Sequence, residues 1–152
     1  YKGIGGIAGA ILAGDSSFIE KAKIWKRRHG GDLISLYPYI ISAKHNFDLK
    51  YNKMSQYYQD AKELAALFNS LQYAHTFPHI PVSNMFHVHF SKSKETVENL
   101  LLEATLKFDF GIATRITEIN PNNCRYEISI GDEYAKIPKE LLNKLFDYLK
   151  II

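Results

Sequence analysis

Hydrophobic and polar residues follow several different rhythms along this chain, and each rhythm predicts a different element. Residues 7–14 (IAGAILAG) are apolar and close on Gly14 and Asp15, which predicts a short buried strand and then a turn. Phe18, Ala22 and Trp25 then recur at helical spacing. Ahead of them Ser17, Phe18, Ile19 and Glu20 have the form of a capping box, a hydroxyl for the first free amides and a carboxylate three residues on. The helix closes on Lys26, Arg27, Arg28 and His29, positive charge where the helix dipole favours it, and Gly30 and Gly31 stop it. That basic run reads first as a solvated helix end, with a ligand site as the alternative.

Residues 33–45 are apolar on most faces, so a second, buried helix is expected, with Pro38 marking its first turn. Residues 54–71 predict a longer amphipathic helix. Tyr57, Ala61, Leu64, Leu67 and Phe68 share one stripe, while Gln59, Asp60, Lys62 and Glu63 mostly face water. Two prolines and no periodicity make residues 75–81 (HTFPHIP) a loop and the expected boundary between subdomains. Residues 84–90 then read as a strand and 94–108 as a helix. Residues 112–119 and 124–130 alternate around Asn120, Pro121, Asn122 and Asn123, the pattern of a hairpin with a four-residue turn. Pro138 opens a last helix through Leu149, with Leu141, Leu142, Leu145 and Tyr148 inward. The order β-α-β-β-α predicts a small sheet with helices packed on one face. Neither an internal repeat nor a low-complexity segment interrupts it.

Composition narrows the class. Of 152 residues 46% are apolar and 23% charged, enough to bury a core and offset chain entropy. A net charge of +3 from 19 basic and 16 acidic residues is too balanced to point to nucleic acid. The apolar runs fall far short of the roughly 18 residues of a membrane helix, so no membrane role is expected. A single cysteine, Cys124, cannot form an intrachain disulfide, which favours a reducing compartment, the cytoplasm. The chain opens on Tyr1 and enters a glycine motif at once, as a piece of a longer polypeptide would.

The densest chemical signal is that motif: Lys2, Gly3, Ile4, Gly5, Gly6, Ile7, Ala8 and Gly9. A dinucleotide fingerprint would use Gly3, Gly5 and Ala8, but it must follow a strand and open a helix. A phosphate loop of the Walker type would close on Gly-Lys-Ser/Thr, which is missing here. The third reading is a lysine on a glycine turn that forms an imine with a planar cofactor, since glycines let backbone pass close to a ring. A plain surface turn is the alternative. Six histidines raise the question of a metal. His87 and His89, two apart in a strand, share a face, but two ligands do not complete a zinc site. His75 and His79 fall in the proline loop, and no metal is expected. Nothing marks a base that would activate Cys124. Arg125 lies in the second hairpin strand, where Glu127 or Glu118 could simply pair with it.

Taken together, the block Lys2, Gly3, Ile4, Gly5, then residues 9–14 (GAILAG), resembles the lysine region of the threonine aldolase and β-eliminating lyase family. The likeness continues through Phe18 and Ile19, Trp25 to Arg27, Gly30 and Gly31, the strand opening at Asn84, Met85 and Phe86, and Arg125 before the final helix. It matches the C-terminal half of the family, whose members are fold type I pyridoxal-phosphate enzymes. The resemblance implies an α/β chain: residues 1–79 would end the large cofactor-binding domain, and 80–152 would form a small α+β C-terminal domain. It implies pyridoxal 5'-phosphate as cofactor, Lys2 as its Schiff-base lysine, Gly3 and Gly5 beside it, and Arg125 on the substrate α-carboxylate. The implied activity is cleavage of a β-hydroxy amino acid to glycine and an aldehyde. β-Elimination from another amino acid, or a non-catalytic partner-binding domain, are the alternatives. A homodimer or homotetramer acting on a small amino acid would follow. Ile34 stands where the family usually carries an arginine, and Arg28 or His29 are the nearby groups that could supply that charge.

Overall fold

In the computed structural model, which describes residues 3–113 and 115–151, the chain divides between Asn52 and Lys53 into two compact units. The first contains α1 (Ser16–Arg28) and α2 (Tyr37–Lys50). The second contains α3 (Met54–Asn69), β1 (Ala74–Phe77), β2 (Met85–Phe90), α4 (Lys94–Phe108), β3 (Thr117–Asn120), β4 (Asn123–Ser129) and α5 (Lys139–Ile151). This division precedes the boundary expected at residue 79, because α3 and β1 both turn apolar side chains into the second unit's core.

Asp15 rather than Ser17 caps α1. Its carboxylate accepts the Phe18 amide at 2.8 Å and the Ser17 hydroxyl donates to it at 2.8 Å. Hydrogen bonding to the charged form holds the Asp15 carboxyl below its usual range. At the other end Gly30 adopts φ 72°, a conformation that side chains resist, and the Gly31 amide donates to the Lys26 carbonyl at 2.8 Å. α2 starts four residues later than expected, with Pro38 in its first turn where its missing amide costs little. The expected burial of this helix is not found: Ile40 is 56% and Ile41 63% exposed. The expected strand over residues 7–14 is also absent. A strand needs a partner, and every strand among the described residues lies in the second unit. The Ile7 amide donates instead to the Ser42 hydroxyl at 3.0 Å, while Ile7, Ile11 and Leu12 stay exposed.

The second unit is a four-stranded antiparallel sheet in the order β1-β2-β4-β3, with its core on one face. Ala74 and Thr76, then Phe86, Val88 and Phe90, then Cys124, Tyr126 and Ile128 point inward by the two-residue alternation of strands. Phe68 of α3 fills the centre, edge-on to Phe90, Tyr126 and Phe146 at 6.3, 6.0 and 4.9 Å between ring centroids. Val97, Leu101, Leu145 and Leu149 close the core from α4 and α5. Asp60, expected to face water, is buried and accepts from the Gln56 amide at 2.8 Å. The segment expected as a loop begins with β1. Thr76 faces inward, bonded to Asn69 and to the His79 carbonyl, and the chain leaves the sheet only at the cis Phe77–Pro78 bond. The hairpin forms where expected, but β3 is shorter and is irregular between Glu118 and Asn120. α4 occupies its expected span, capped by Ser93, and α5 follows Pro138.

Candidate functional site

The sheet's second face is uncovered by the helices of its unit and carries the polar residues. Because Cys124, Tyr126 and Ile128 enter the core, Arg125, Glu127 and Ser129 stand on this outer face of β4. Strand register then fixes their neighbours. Arg125 lies opposite His89 of β2 on one side and Thr117 of β3 on the other, and His89 in turn lies opposite His75 of β1. One row across four strands therefore reads His75, His89, Arg125, Thr117. The adjacent row reads Phe77, His87, Glu127.

The rings in these rows touch. His75 and His89 stack with centroids 5.3 Å apart and planes 19° from parallel, and His87 lies 6.4 Å from His89. His87 Nε2 is 3.6 Å from a Glu127 carboxylate oxygen. Partial burial, then the neighbouring His75, Arg125 and His87, lower the His89 pKa below that of an ordinary imidazole. Arg125 is exposed, with a planar fork of donors suited to a carboxylate. As expected, His87 and His89 share a face. The partnership of His75 with them was hidden by the two prolines that made its segment look like loop. The inward alternation of Ala74 and Thr76 was the signal that could have revealed it.

The glycine motif belongs to the first unit. Gly3 and Ile4 form a turn, and Gly5 has φ 81° with the Lys50 ammonium 2.9 Å from where a Cβ would stand. Lys2, the expected imine lysine, lies outside the described residues. Gly3 and Gly5 are thus in one unit and Arg125 in the other. Ile34 is fully exposed in the segment between α1 and α2. Near it in sequence, Arg28 lies over the Trp25 ring at 5.3 Å and His29 stacks on that ring at 5.8 Å.

Other nucleophiles and ligands fall away from this face. Cys124 is buried, and burial together with Glu98 and Glu118 raises its thiol pKa, so little thiolate forms. Among the described residues no cluster of three or more His, Cys, Asp or Glu side chains is arranged to hold a metal ion. No helix among them is long and apolar enough to cross a membrane.

No protein-family model matches the chain, and no curated protein matches it. Solved structures do. A protein from Listeria monocytogenes, provisionally assigned as an L-allo-threonine aldolase, is 48% identical over 99% of this chain, with a TM-score of 0.88. A protein from Exiguobacterium sp., provisionally assigned as an aromatic amino acid β-eliminating lyase/threonine aldolase, is 45% identical over 99% of this chain, with a TM-score of 0.85. This chain spans 42% of the length of each. Identity at that level along nearly every residue, in the same fold, makes this chain similar to part of solved threonine aldolase and β-eliminating lyase structures.

Proposed function

We propose that the chain is the C-terminal portion of a pyridoxal-phosphate-dependent carbon–carbon lyase similar to threonine aldolase, which cleaves a β-hydroxy amino acid to glycine and an aldehyde. The observation that carries this reading is the 48% identity, over 99% of the chain, to a protein bearing the aldolase name.

The glycine turn supports a cofactor site in this segment. Gly3 and Ile4 turn there, and Gly5 follows with a positive φ that side chains resist. Lys2 would hold pyridoxal phosphate through its amino group, with Gly3 and Gly5 beside it. When bound, the cofactor supplies a ring that accepts the electrons of the bond being broken. Arg125 would bind the substrate α-carboxylate bidentately and so orient the Cα–Cβ bond; the β-pleat of β4 holds it on the exposed face. The Exiguobacterium neighbour, which carries both names, supports β-elimination from another amino acid as a second reading. We place the enzyme in the cytoplasm, a reading supported by its single cysteine, and read it as a homodimer or homotetramer, supported by the unburied apolar side chains of α2, Ile40, Ile41 and Leu49.

The test is an assay of the full-length protein with L-threonine and L-allo-threonine in the presence of pyridoxal phosphate. Glycine and acetaldehyde in equal amounts are the expected products. Ammonia and a keto acid would favour the elimination reading, and no turnover of any hydroxy or aromatic amino acid would contradict both.

A further inference from the structure

The imidazoles beside Arg125 have no part in the function proposed above, yet strand register delivers one of them directly to it. In an antiparallel pair, directly opposed residues bring their Cβ atoms to about 4.5–5.5 Å, within reach of a shared small ligand. His89 is so opposed to Arg125, and His75, opposed to His89 and stacked on it at 5.3 Å, backs the ring from the far side. A carboxylate seated on the Arg125 fork has two oxygens and about four lone-pair sites, more than one fork fills. We infer that His89 is a second donor to the carboxylate held by Arg125, with His75 as the positioning residue that fixes its ring. This inference rests on the carboxylate role proposed for Arg125 and adds to it a named partner and a pH dependence.

The sign of that dependence follows from the groups around His89. Facing it are His75 from β1, His87 on its own strand, and Arg125 and Glu127 from β4; Glu127 is engaged with His87. Partial burial and the neighbouring positive charge hold the free His89 neutral at neutral pH. A bound carboxylate adds negative charge and favours the imidazolium, so binding takes up a proton from solvent. Carboxylate affinity therefore rises as pH falls through the histidine range, for as long as the carboxylate itself stays ionised.

The probe is acetate, titrated into the full-length protein across that range, with binding followed by the NMR signals of the His89 and His75 rings. Acetate should shift both rings, move the His89 titration midpoint upward, and bind more tightly at the acidic end. His89→Phe should weaken binding by roughly two- to twelve-fold, the worth of one net hydrogen bond, and remove the pH dependence. His89→Gln, which keeps a donor without a titration, should retain affinity at neutral pH yet lose the pH dependence. Acetate binding that Arg125→Ala abolishes but His89→Phe leaves unchanged would overturn the imidazole role alone. Binding indifferent to Arg125→Ala as well would overturn the carboxylate role of Arg125 and this inference with it.

Discussion

An arginine on a strand has its neighbours chosen by register, and that is why Arg125 can be argued about residue by residue. The alternation around it, Cys124 and Tyr126 inward and Arg125 outward, was readable from the sequence because buried apolar and exposed polar positions alternate without a break in β4. Its cross-strand partners were not readable, since pairing is a long-range property and β1 was masked by prolines at 78 and 81. Lys2 was legible only through the glycines that follow it, and its placement lies outside the described residues. If Arg125 grips the substrate, Arg125→Ala should cost about 2 to 5 kcal/mol of transition-state binding, seen as a fall in kcat/KM of the full-length enzyme. Arg125→Lys should recover only part of that, because a point charge replaces the fork. Near-normal kcat/KM in Arg125→Ala would leave the residue a structural role only.

Among the elements, α2 and α3 show what periodicity can and cannot decide. Both are rich in apolar residues, but α3 gathers Tyr57, Ala61, Leu64 and Phe68 on one stripe and buries them, while α2 spreads its apolar residues and buries none. Apolar residues spread round α2 imply that it needs cover without specifying what covers it. α4 occupies its expected span, with Ser93 accepting the Thr96 amide at 3.2 Å, whereas the capping box read at Ser17 lies two residues past Asp15, which caps α1. Short strands were less legible, because β3 and β1 span four residues each and depend on their partners for definition. This contrast has a measurable consequence in the 152-residue chain. Phe68→Ala empties the centre of the aromatic cluster and should destabilise the second unit by about 3 to 5 kcal/mol in urea unfolding. Ile41→Ala on the exposed α2 should change stability by no more than about 0.5 kcal/mol. Comparable losses for the two would mean that α2 is buried after all.

At the scale of the whole molecule, the proposed machinery is divided: the glycine turn is in the first unit, Arg125 in the second, and the chain spans 42% of its structural neighbours' length. A catalytic constellation works only when its members are held in one geometry. Whether Lys2 carries the cofactor in the full-length enzyme can be tested without any assay of turnover. The full-length protein is loaded with pyridoxal phosphate, reduced with borohydride to fix the bond, digested and mapped by mass spectrometry. The phosphopyridoxyl group should appear on the peptide containing Lys2, Gly3, Ile4 and Gly5. Its stable attachment to a different lysine, or to none, would contradict that role for Lys2.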